Sequence, residues 1–336
     1  MFSKRKLGLF LIVAITFFSL LDPSVQAKGK NETAYIDVAV ATLWTEPGEK
    51  RPIDAPALDN PVDMWQWTSS MTLDDKLWLV GELQTQALYG HEVTILEEQG
   101  DWVKVAVHEQ PTPKHDIGYP AWMPKKQLAN EASFASLKEN KPFVLVTKPT
   151  AWLYEDKHQR KPFMEISFNT RLPLIADTGD ELLVATPSDG KKWISADDVD
   201  IYESEDRIPA PTADDVIETG KKFLDLPYLW AGISGFGFDC SGFTYTIFKA
   251  HGITIPRDSS VQATHGEPVE KENLQKGDLL FFAYEEGKGA VHHVGMYMGD
   301  GKMIHSPNSS KTVEIIDVFE SDYYSSEYAG ARRYIE

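Results

Sequence analysis

One segment of the chain occurs twice, and this duplication restricts the fold more than any other feature of the sequence. VTILEEQGDWVKVAV at 93–107 aligns without gaps to LPLIADTGDELLVAT at 172–186, with a Gly-Asp pair at the centre of both copies. Such a pair between two apolar stretches is typical of a β-hairpin. Further matches join 41–49 to 150–158 and 121–128 to 192–199. The pattern favours two small all-β modules, with a single β-sandwich as the alternative.

The duplication places the modules at 31–135 and 140–203, and an insertion at 51–80 interrupts the first copy. The segments MWQWTSSM and LDDKLWLV in this insertion predict a helical or looped elaboration packed on the first module. A polar linker with two prolines follows at 204–211. In the last region, 212–336, Thr212 is suited to cap one helix, and a second helix is predicted from Cys240 to Gly252. Strand-like runs follow these helices, so we expect an α+β domain.

The first 27 residues have the three parts of a secretory signal peptide: a basic start, an apolar run, and small residues before a cut after Ala27. The apolar run from Leu7 to Leu21 is shorter than the ~20 residues that a membrane-spanning helix needs. We therefore expect a secreted, soluble monomer in the extracellular or cell-wall space, with an uncleaved membrane anchor as the alternative. Removal of 1–27, which contains three basic residues and one acid, changes the net charge from -18 to -20. This charge argues against nucleic acid and against anionic membranes as partners.

Cys240 is the only cysteine of the chain, so no internal disulfide can form. In an exported protein, a single thiol is an inert core residue, an intermolecular crosslink or a nucleophile. A nucleophilic cysteine reacts as the thiolate, which a helix N-terminus or a nearby imidazole stabilises. Because Cys240 begins a predicted helix, the first of these two conditions is met by the sequence itself.

Two histidines are candidates for the imidazole. His293 and His305 flank the Gly-Asp-Gly turn at 299–301. A three-residue loop would place both side chains on one face of the hairpin, whereas a two-residue loop would place them on opposite faces. We predict the three-residue loop, with His292 facing away as a structural or surface residue. A zinc site is the competing chemistry, but no fourth ligand is evident, so we expect no metal and no cofactor.

Four motifs of the last region resemble the successive signatures of NlpC-type cell-wall cysteine peptidases. They are PYLWAGISGFGFDCSGF, KGDLLFF, HVGMYMGDGKMIHS and AGARRYIE, all within 210–336. The resemblance implies a papain-like α+β fold in which Cys240 attacks a peptide carbonyl, His293 is the base and His305 orients that base. It also implies that Tyr228 and the backbone N–H of Cys240 stabilise the oxyanion. The two β modules are similar to the bacterial SH3-like barrels that often accompany cell-wall enzymes.

Two SH3-like modules before such a catalytic domain resemble, more narrowly, the γ-D-glutamyl-L-diamino acid endopeptidases of Bacillus type. This resemblance implies peptidoglycan stem peptides with a free N-terminal L-Ala as substrates and L-Ala-γ-D-Glu as the released product. The first barrel would then close the pocket to longer, glycan-linked stems. The alternatives are a murein hydrolase that acts on intact cell wall and a wall-binding protein with an idle catalytic domain.

The implied substrate indicates which side chains bind it. Hydroxyl and guanidinium donors are expected around its free α-carboxylate. The candidates for this role are Ser241, Arg257 and Ser259. An acidic cage is expected around its α-ammonium, and the candidates for that role are Asp239, Glu82 and Tyr119. The predicted substrate-binding set also contains Trp230 and Asp258.

Overall fold

The computed structural model of the protein describes residues 32–335. The predicted signal peptide at 1–27 lies outside the described residues. Within 32–335, no helix has the length and apolar character needed to cross a membrane. This part of the chain forms one compact unit, in which three regions follow one another along the sequence.

The first region is an antiparallel sheet of seven strands in the order β3-β2-β6-β5-β4-β1-β7. The strands are β1 (Glu32–Ile36), β2 (Val40–Trp44), β3 (Leu83–Leu88), β4 (Glu92–Gln99), β5 (Trp102–Val107), β6 (Tyr119–Pro124) and β7 (Leu128–Ala129). The predicted hairpin joins β4 to β5, because Gln99 pairs with Trp102 across the Gly-Asp turn. Gly100 has a φ of 59° there, a left-handed conformation that glycine adopts without steric cost.

The insertion at 51–80 forms three short helices, α1 (Ala55–Leu58), α2 (Met64–Ser70) and α3 (Leu73–Trp78). Trp67 is fully buried, and its indole Nε1 donates to Asp54 at 3.0 Å. The Trp65 ring packs edge-on against Phe236 of the third region, and its Nε1 donates to Glu165 of the second region at 2.9 Å. The insertion therefore connects the first region to the other two.

The second region repeats the topology of the first. Helix α4 (Ala132–Asn140) leads into it. Its strands are β8 (Phe143–Val146), β9 (Thr150–Tyr154), β10 (Pro162–Ser167), β11 (Arg171–Asp177), β12 (Glu181–Ala185), β13 (Lys191–Ser195) and β14 (Val199–Tyr202). They lie in the order β10-β9-β13-β12-β11-β8-β14, which matches the first sheet strand for strand. The duplication in the sequence is thus a duplication of the fold.

The third region is the predicted α+β domain. Its helices are α5 (Ala213–Lys221), α6 (Cys240–Ala250), α7 (Ser259–Gln262), the left-handed turn α8 (Tyr284–Gly287) and α9 (Asp322–Glu327). Its strands are β15 (Ile233–Ser234), β16 (Gly237–Phe238), β17 (Glu267–Val269), β18 (Leu279–Ala283), β19 (Val291–Gly299), β20 (Lys302–His305), β21 (Glu314–Asp317) and β22 (Tyr328–Arg333). Thr212 caps α5 through a reciprocal capping box with Asp215. Six of the strands form one sheet in the order β17-β22-β18-β19-β20-β21, and α6 packs against β19.

Neither β region closes into the barrel that the sequence predicts, because the end strands of each described sheet do not pair with one another. In the first sheet, β3 docks against the third region instead. The carbonyl of Leu83 accepts a hydrogen bond from Trp230 Nε1, and the Gln86 side chain accepts one from the Ile233 N–H, both at 3.0 Å. One apolar cluster also runs through all three regions, with Trp44, Phe168 and Phe243 among its members. Contacts between regions thus replace barrel closure.

Candidate active site

Cys240 is the first residue of α6, directly after the short β15–β16 hairpin. Asp239 is the N-cap of this helix, and its carboxylate accepts a hydrogen bond from the Gly242 N–H at 2.6 Å. A side chain at position 242 would not fit, since a Cβ there would lie 1.9 Å from the Gly232 carbonyl oxygen. The start of α6 therefore packs closely against the preceding loop, and this contact fixes the position of the Cys240 sulfur.

His293 and His305 lie on one face of the β19–β20 hairpin. Met296 pairs with Ile304, and the same register places His305 opposite Gly295 and diagonal to His293. The Nε2 atom of His293 lies 2.8 Å from Nδ1 of His305. The turn itself differs from the predicted three-residue loop: Gly299 pairs with Lys302 across two residues, and the ladder has an irregularity between 297 and 299. One extra residue in a strand reverses the alternation of side chains as an odd loop would, so the predicted common face results from a bulge.

Burial favours the neutral forms of both the Cys240 thiol and the His293 imidazole. Burial raises the pKa of Cys240 to about 12, with a further rise from the Asp239 carboxylate. Burial also lowers the pKa of His293 well below its ordinary value, and the neighbouring His305 adds to this effect. A helix N-terminus stabilises an anion by only about 0.3–1 kcal/mol at the surface. Full burial disfavours the charged form of a group by up to roughly 4–7 kcal/mol. Desolvation therefore outweighs the helix dipole, so the position of Cys240 at a helix start does not by itself stabilise the thiolate.

Two hydrogen-bond donors can stabilise a developing oxyanion beside the sulfur. Tyr228 is buried at the groove that contains Cys240. Burial raises the pKa of its phenol well above the ordinary value, and the nearby Cys240 adds to the rise. The phenol thus remains a proton donor at neutral pH. The second donor is the backbone N–H of Cys240, because the first N–H groups of a helix have no partner within the helix.

Cys240 faces a groove of about 280 Å³ that is built by two regions of the chain. The third region contributes Tyr228, Trp230, Ala231, Asp239, Cys240, Ser241, Asp258, Ser259 and His292. The first region contributes Gly81, Leu83, Gln84, Lys114 and Tyr119. The predicted residues Trp230, Ser241, Ser259, Asp258 and Tyr119 are therefore brought together beside the thiol.

Arg257 forms a buried ion pair with Asp239, which lines this groove. The Arg257 guanidinium lies 2.7 Å from one Asp239 carboxylate oxygen and 3.1 Å from the other. It also donates to the hydroxyls of Ser241 and Thr85, both at 3.0 Å. This arrangement differs from the prediction that Asp239 is a free acid for an ammonium and that Arg257 contacts a carboxylate directly. The charge of each is already paired, and Arg257 is only 1% exposed.

Asp258 is the more exposed of the two acids that line the groove. The Tyr119 hydroxyl lies 3.0 Å and 3.1 Å from its two carboxylate oxygens, and the Lys114 ammonium lies 3.4 Å from one of them. Glu82 lies between the groove residues Gly81 and Leu83 without lining the groove itself. Of the three residues predicted for the acidic cage, Tyr119 lines the groove and contacts Asp258, Asp239 is paired with Arg257, and Glu82 does not line the groove.

Three groove residues had no signal in the sequence as site residues. Gln84 and Lys114 belong to the first region, and only the docking of that region brings them to the thiol. His292 was expected to face away, yet it lines the groove, where its Nε2 lies 2.8 Å from Glu327. His292 and His293 are adjacent in β19, and of the two only His292 lines the groove. No cluster of three or more potential metal ligands occurs among the described residues.

Comparison with known proteins agrees with this geometry. Residues 225–333 match the NlpC/P60 family, residues 80–128 the bacterial dipeptidyl-peptidase Sh3 domain, and residues 146–202 the YKFC SH3b2 domain. A gamma-D-glutamyl-L-lysine dipeptidyl-peptidase of Bacillus cereus is 55% identical over 333 residues, which cover 98% of this chain and 99% of that protein. The chain belongs to the NlpC/P60 family.

One more sequence relative and one solved structure match most of the chain. A gamma-D-glutamyl-L-lysine dipeptidyl-peptidase of Bacillus subtilis is 45% identical over 298 residues, covering 88% of this chain and 96% of that protein. The crystal structure of an NlpC/P60 family protein from Bacillus cereus ATCC 10987 has a TM-score of 0.87 and 58% identity, covering 91% of this chain and all of that one. The resemblance stated from the motifs, an NlpC-type peptidase with two SH3-like domains, is confirmed.

Proposed function

We propose that this NlpC/P60 protein is a γ-D-glutamyl-L-lysine dipeptidyl-peptidase, a cysteine peptidase that hydrolyses the γ-D-glutamyl–diamino acid bond of peptidoglycan-derived peptides. The observation that carries the proposal is the groove at Cys240, to which the first SH3-like region contributes Gln84, Lys114 and Tyr119. The relatives that share this region and nearly their whole length with the chain carry the same name. A site closed by the first region suits a short peptide better than a long polymer.

The two ends of the substrate have complementary partners in the groove. The α-ammonium of an N-terminal L-Ala pairs with the Asp258 carboxylate, next to the Tyr119 hydroxyl. The free α-carboxylate of the γ-linked D-Glu accepts hydrogen bonds from the hydroxyls of Ser241 and Ser259, and the buried Arg257 beneath Ser241 supplies positive charge. The first region then excludes stems that carry a glycan on L-Ala. The linkage to the glycan would remove the ammonium, and the glycan would overlap the residues of the first region that form one side of the groove.

The reaction follows from the neutral resting pair. His293 takes the thiol proton while the Cys240 sulfur attacks the γ-carbonyl carbon, and the oxyanion accepts hydrogen bonds from Tyr228 and the Cys240 N–H. The imidazolium then returns this proton to the departing amine of the diamino acid, which leaves a thioester on Cys240. His293 next removes a proton from water, which attacks the thioester. Release of the L-Ala-γ-D-Glu carboxylate restores the thiol and the neutral imidazole.

The experiment compares two peptides. L-Ala-γ-D-Glu-L-Lys and its N-acetylmuramyl-linked form are incubated with the mature protein, and the released L-Lys is quantified. We expect cleavage of the free peptide and at least about a tenfold lower kcat/KM for the linked one, equivalent to one lost ion pair of about 1.4 kcal/mol. Equal rates on both would contradict the requirement for a free N-terminus. Cys240→Ala is the control, and activity in that variant would contradict the mechanism.

The location of the protein is also a proposal. The basic, apolar and small-residue segments at 1–27 support secretion, and the negative charge of the mature chain favours soluble peptides over anionic wall polymers. N-terminal sequencing of the protein from culture medium should start at Lys28. Intact residues 1–27 in a membrane fraction would contradict secretion.

A further inference from the structure

The pair of catalytic histidines contains a buried nitrogen that has no hydrogen-bond partner in the described part of the chain. His305 is fully buried, and its Nε2 atom has no hydrogen-bond partner among residues 32–335. The nearest carboxylate is that of Glu314, whose Oε1 lies 3.6 Å from this nitrogen. The two residues are direct cross-strand partners, since His305 on β20 pairs with Glu314 on β21. The sheet register thus places a carboxylate beside the one nitrogen of the pair that is buried without a hydrogen-bond partner in the described part of the chain.

We propose that Glu314 is a positioning residue for the reaction, which accepts the Nε2 proton of His305 in a hydrogen bond and thereby sets the protons of both imidazoles. The inference rests on the proposed function only in assigning His293 as the base. It extends the site from three residues to four, ordered Cys240, His293, His305 and Glu314.

The tautomers follow from the geometry. A neutral imidazole has one N–H and one acceptor nitrogen, and burial lowers the pKa of His305 to about 3, so this ring is neutral. With its proton on Nε2 toward Glu314, His305 accepts at Nδ1 from the Nε2–H of His293, 2.8 Å away. The Nδ1 atom of His293 then has a free lone pair. That lone pair is what a general base needs to take the thiol proton.

Without the carboxylate, the opposite arrangement competes. His305 can then carry its proton on Nδ1 and donate it to Nε2 of His293, which places the remaining proton of His293 on its Nδ1. A protonated Nδ1 cannot accept from the thiol, so this arrangement is inactive. Glu314 selects against it because the carboxylate accepts hydrogen bonds and cannot donate one when ionised. An orienting carboxylate behind a catalytic histidine acts in the same sense in other hydrolases.

The 3.6 Å distance can close by a small movement. Hydrogen bonds to imidazole N–H groups span about 2.7–3.2 Å, and catalytic hydrogen bonds often tighten only when substrate is bound. Lys311 holds the same carboxylate oxygen at 2.6 Å and keeps the side chain on the strand pair. The Tyr324 ring packs edge-on against His305 at 5.2 Å, so the imidazole has little freedom to turn away from Glu314.

The test uses Glu314→Ala, with Glu314→Gln as an isosteric second variant. Asp317→Ala is the matched control, because it removes the carboxylate of an exposed cross-strand ion pair on the same two strands. Loss of Glu314 should lower kcat about tenfold to a hundredfold, as for other orienting partners, with KM unchanged. The glutamine variant, whose amide oxygen still accepts, should retain more activity than the alanine variant. Asp317→Ala should match the wild type.

Two readouts need no substrate, so they separate this inference from the proposed function. Nitrogen-15 NMR of labelled histidines, assigned with His305→Gln, should show His305 protonated on Nε2 in the wild type and on Nδ1 in Glu314→Ala. Alkylation of Cys240 by iodoacetamide at pH 7 should slow in parallel. An unchanged tautomer in Glu314→Ala, or a kcat within twofold of Asp317→Ala, would overturn the inference. A tautomer change in a protein that cleaves neither peptide would leave it standing and refute the proposed substrate.

Discussion

Replacement of Arg257 by alanine should destabilise the protein by about 3–5 kcal/mol, because it leaves a carboxylate buried without its partner. Arg257 is 1% exposed and Asp239 is 7% exposed, so both charged groups are largely removed from solvent. The guanidinium also donates to the hydroxyls of Ser241 and Thr85, and each lost hydrogen bond is worth about 0.5–1.5 kcal/mol. These losses place the expected value in the upper part of the range.

The assay is urea denaturation followed by far-UV circular dichroism at pH 7. Lys302→Ala serves as the control, since its ion pair with Asp317 is about half exposed on both sides and should contribute less than about 1 kcal/mol. The double variant Asp239→Asn/Arg257→Met should recover most of the lost stability, because no unpaired charge remains and asparagine still caps α6. Two outcomes would contradict the cost of an unpaired buried carboxylate: Arg257→Ala as stable as Lys302→Ala, or a double variant no more stable than Arg257→Ala.

Three further predictions concern the base, the docked region and the start of α6. His293 acts as the unprotonated base, and burial lowers its pKa below the ordinary 6.5. The acid limb of the pH profile of kcat/KM should therefore lie well below pH 6.5. An acid limb above pH 6.5 would contradict a neutral resting imidazole. Trp230→Phe removes the 3.0 Å hydrogen bond to the Leu83 carbonyl. It should lower the free energy of unfolding by about 0.5–1.5 kcal/mol, measured by thermal denaturation. An unchanged midpoint temperature would show that this hydrogen bond does not stabilise the docking of the first region. Gly242→Ala places a Cβ 1.9 Å from a backbone oxygen; it should displace Cys240 and lower kcat about a hundredfold, whereas wild-type kcat would show that the helix start can move freely.

The fold regions could be predicted because their signals are local. The Gly-Asp pairs at 100–101 and 179–180 sit in hairpins in both copies, and the copies share one strand order. Thr212 caps the predicted helix, and Cys240 begins the next. Turns and caps depend on the few residues that form them. Closure of the sheets depends instead on what docks at their edges, which no local signal shows. The prediction of closed barrels was therefore wrong.

The residue types of the candidate site could be predicted from the sequence, but the ion pairs among them could not. The motif around Cys240 and the two histidines of the 293–305 hairpin were evident, although the common face depends on a bulge that the sequence does not mark. Pairing of Asp239 with Arg257 was missed, because the two are 18 residues apart in the chain. Both Asp239 and Asp258 line the groove, but Asp239 is paired with Arg257 and Asp258 is the more exposed of the two.

The duplicated β regions, the α+β domain with its cysteine at a helix start, and the family to which these motifs belong could all be read from the sequence. These features depend on turns, caps and short motifs, in which neighbouring residues interact. The position of the first region along the groove, the burial that favours the neutral thiol and imidazole, and the placement of Glu314 beside His305 depend on the tertiary structure. Burial and contacts between distant segments set these properties, and neither is a function of any local stretch of the chain.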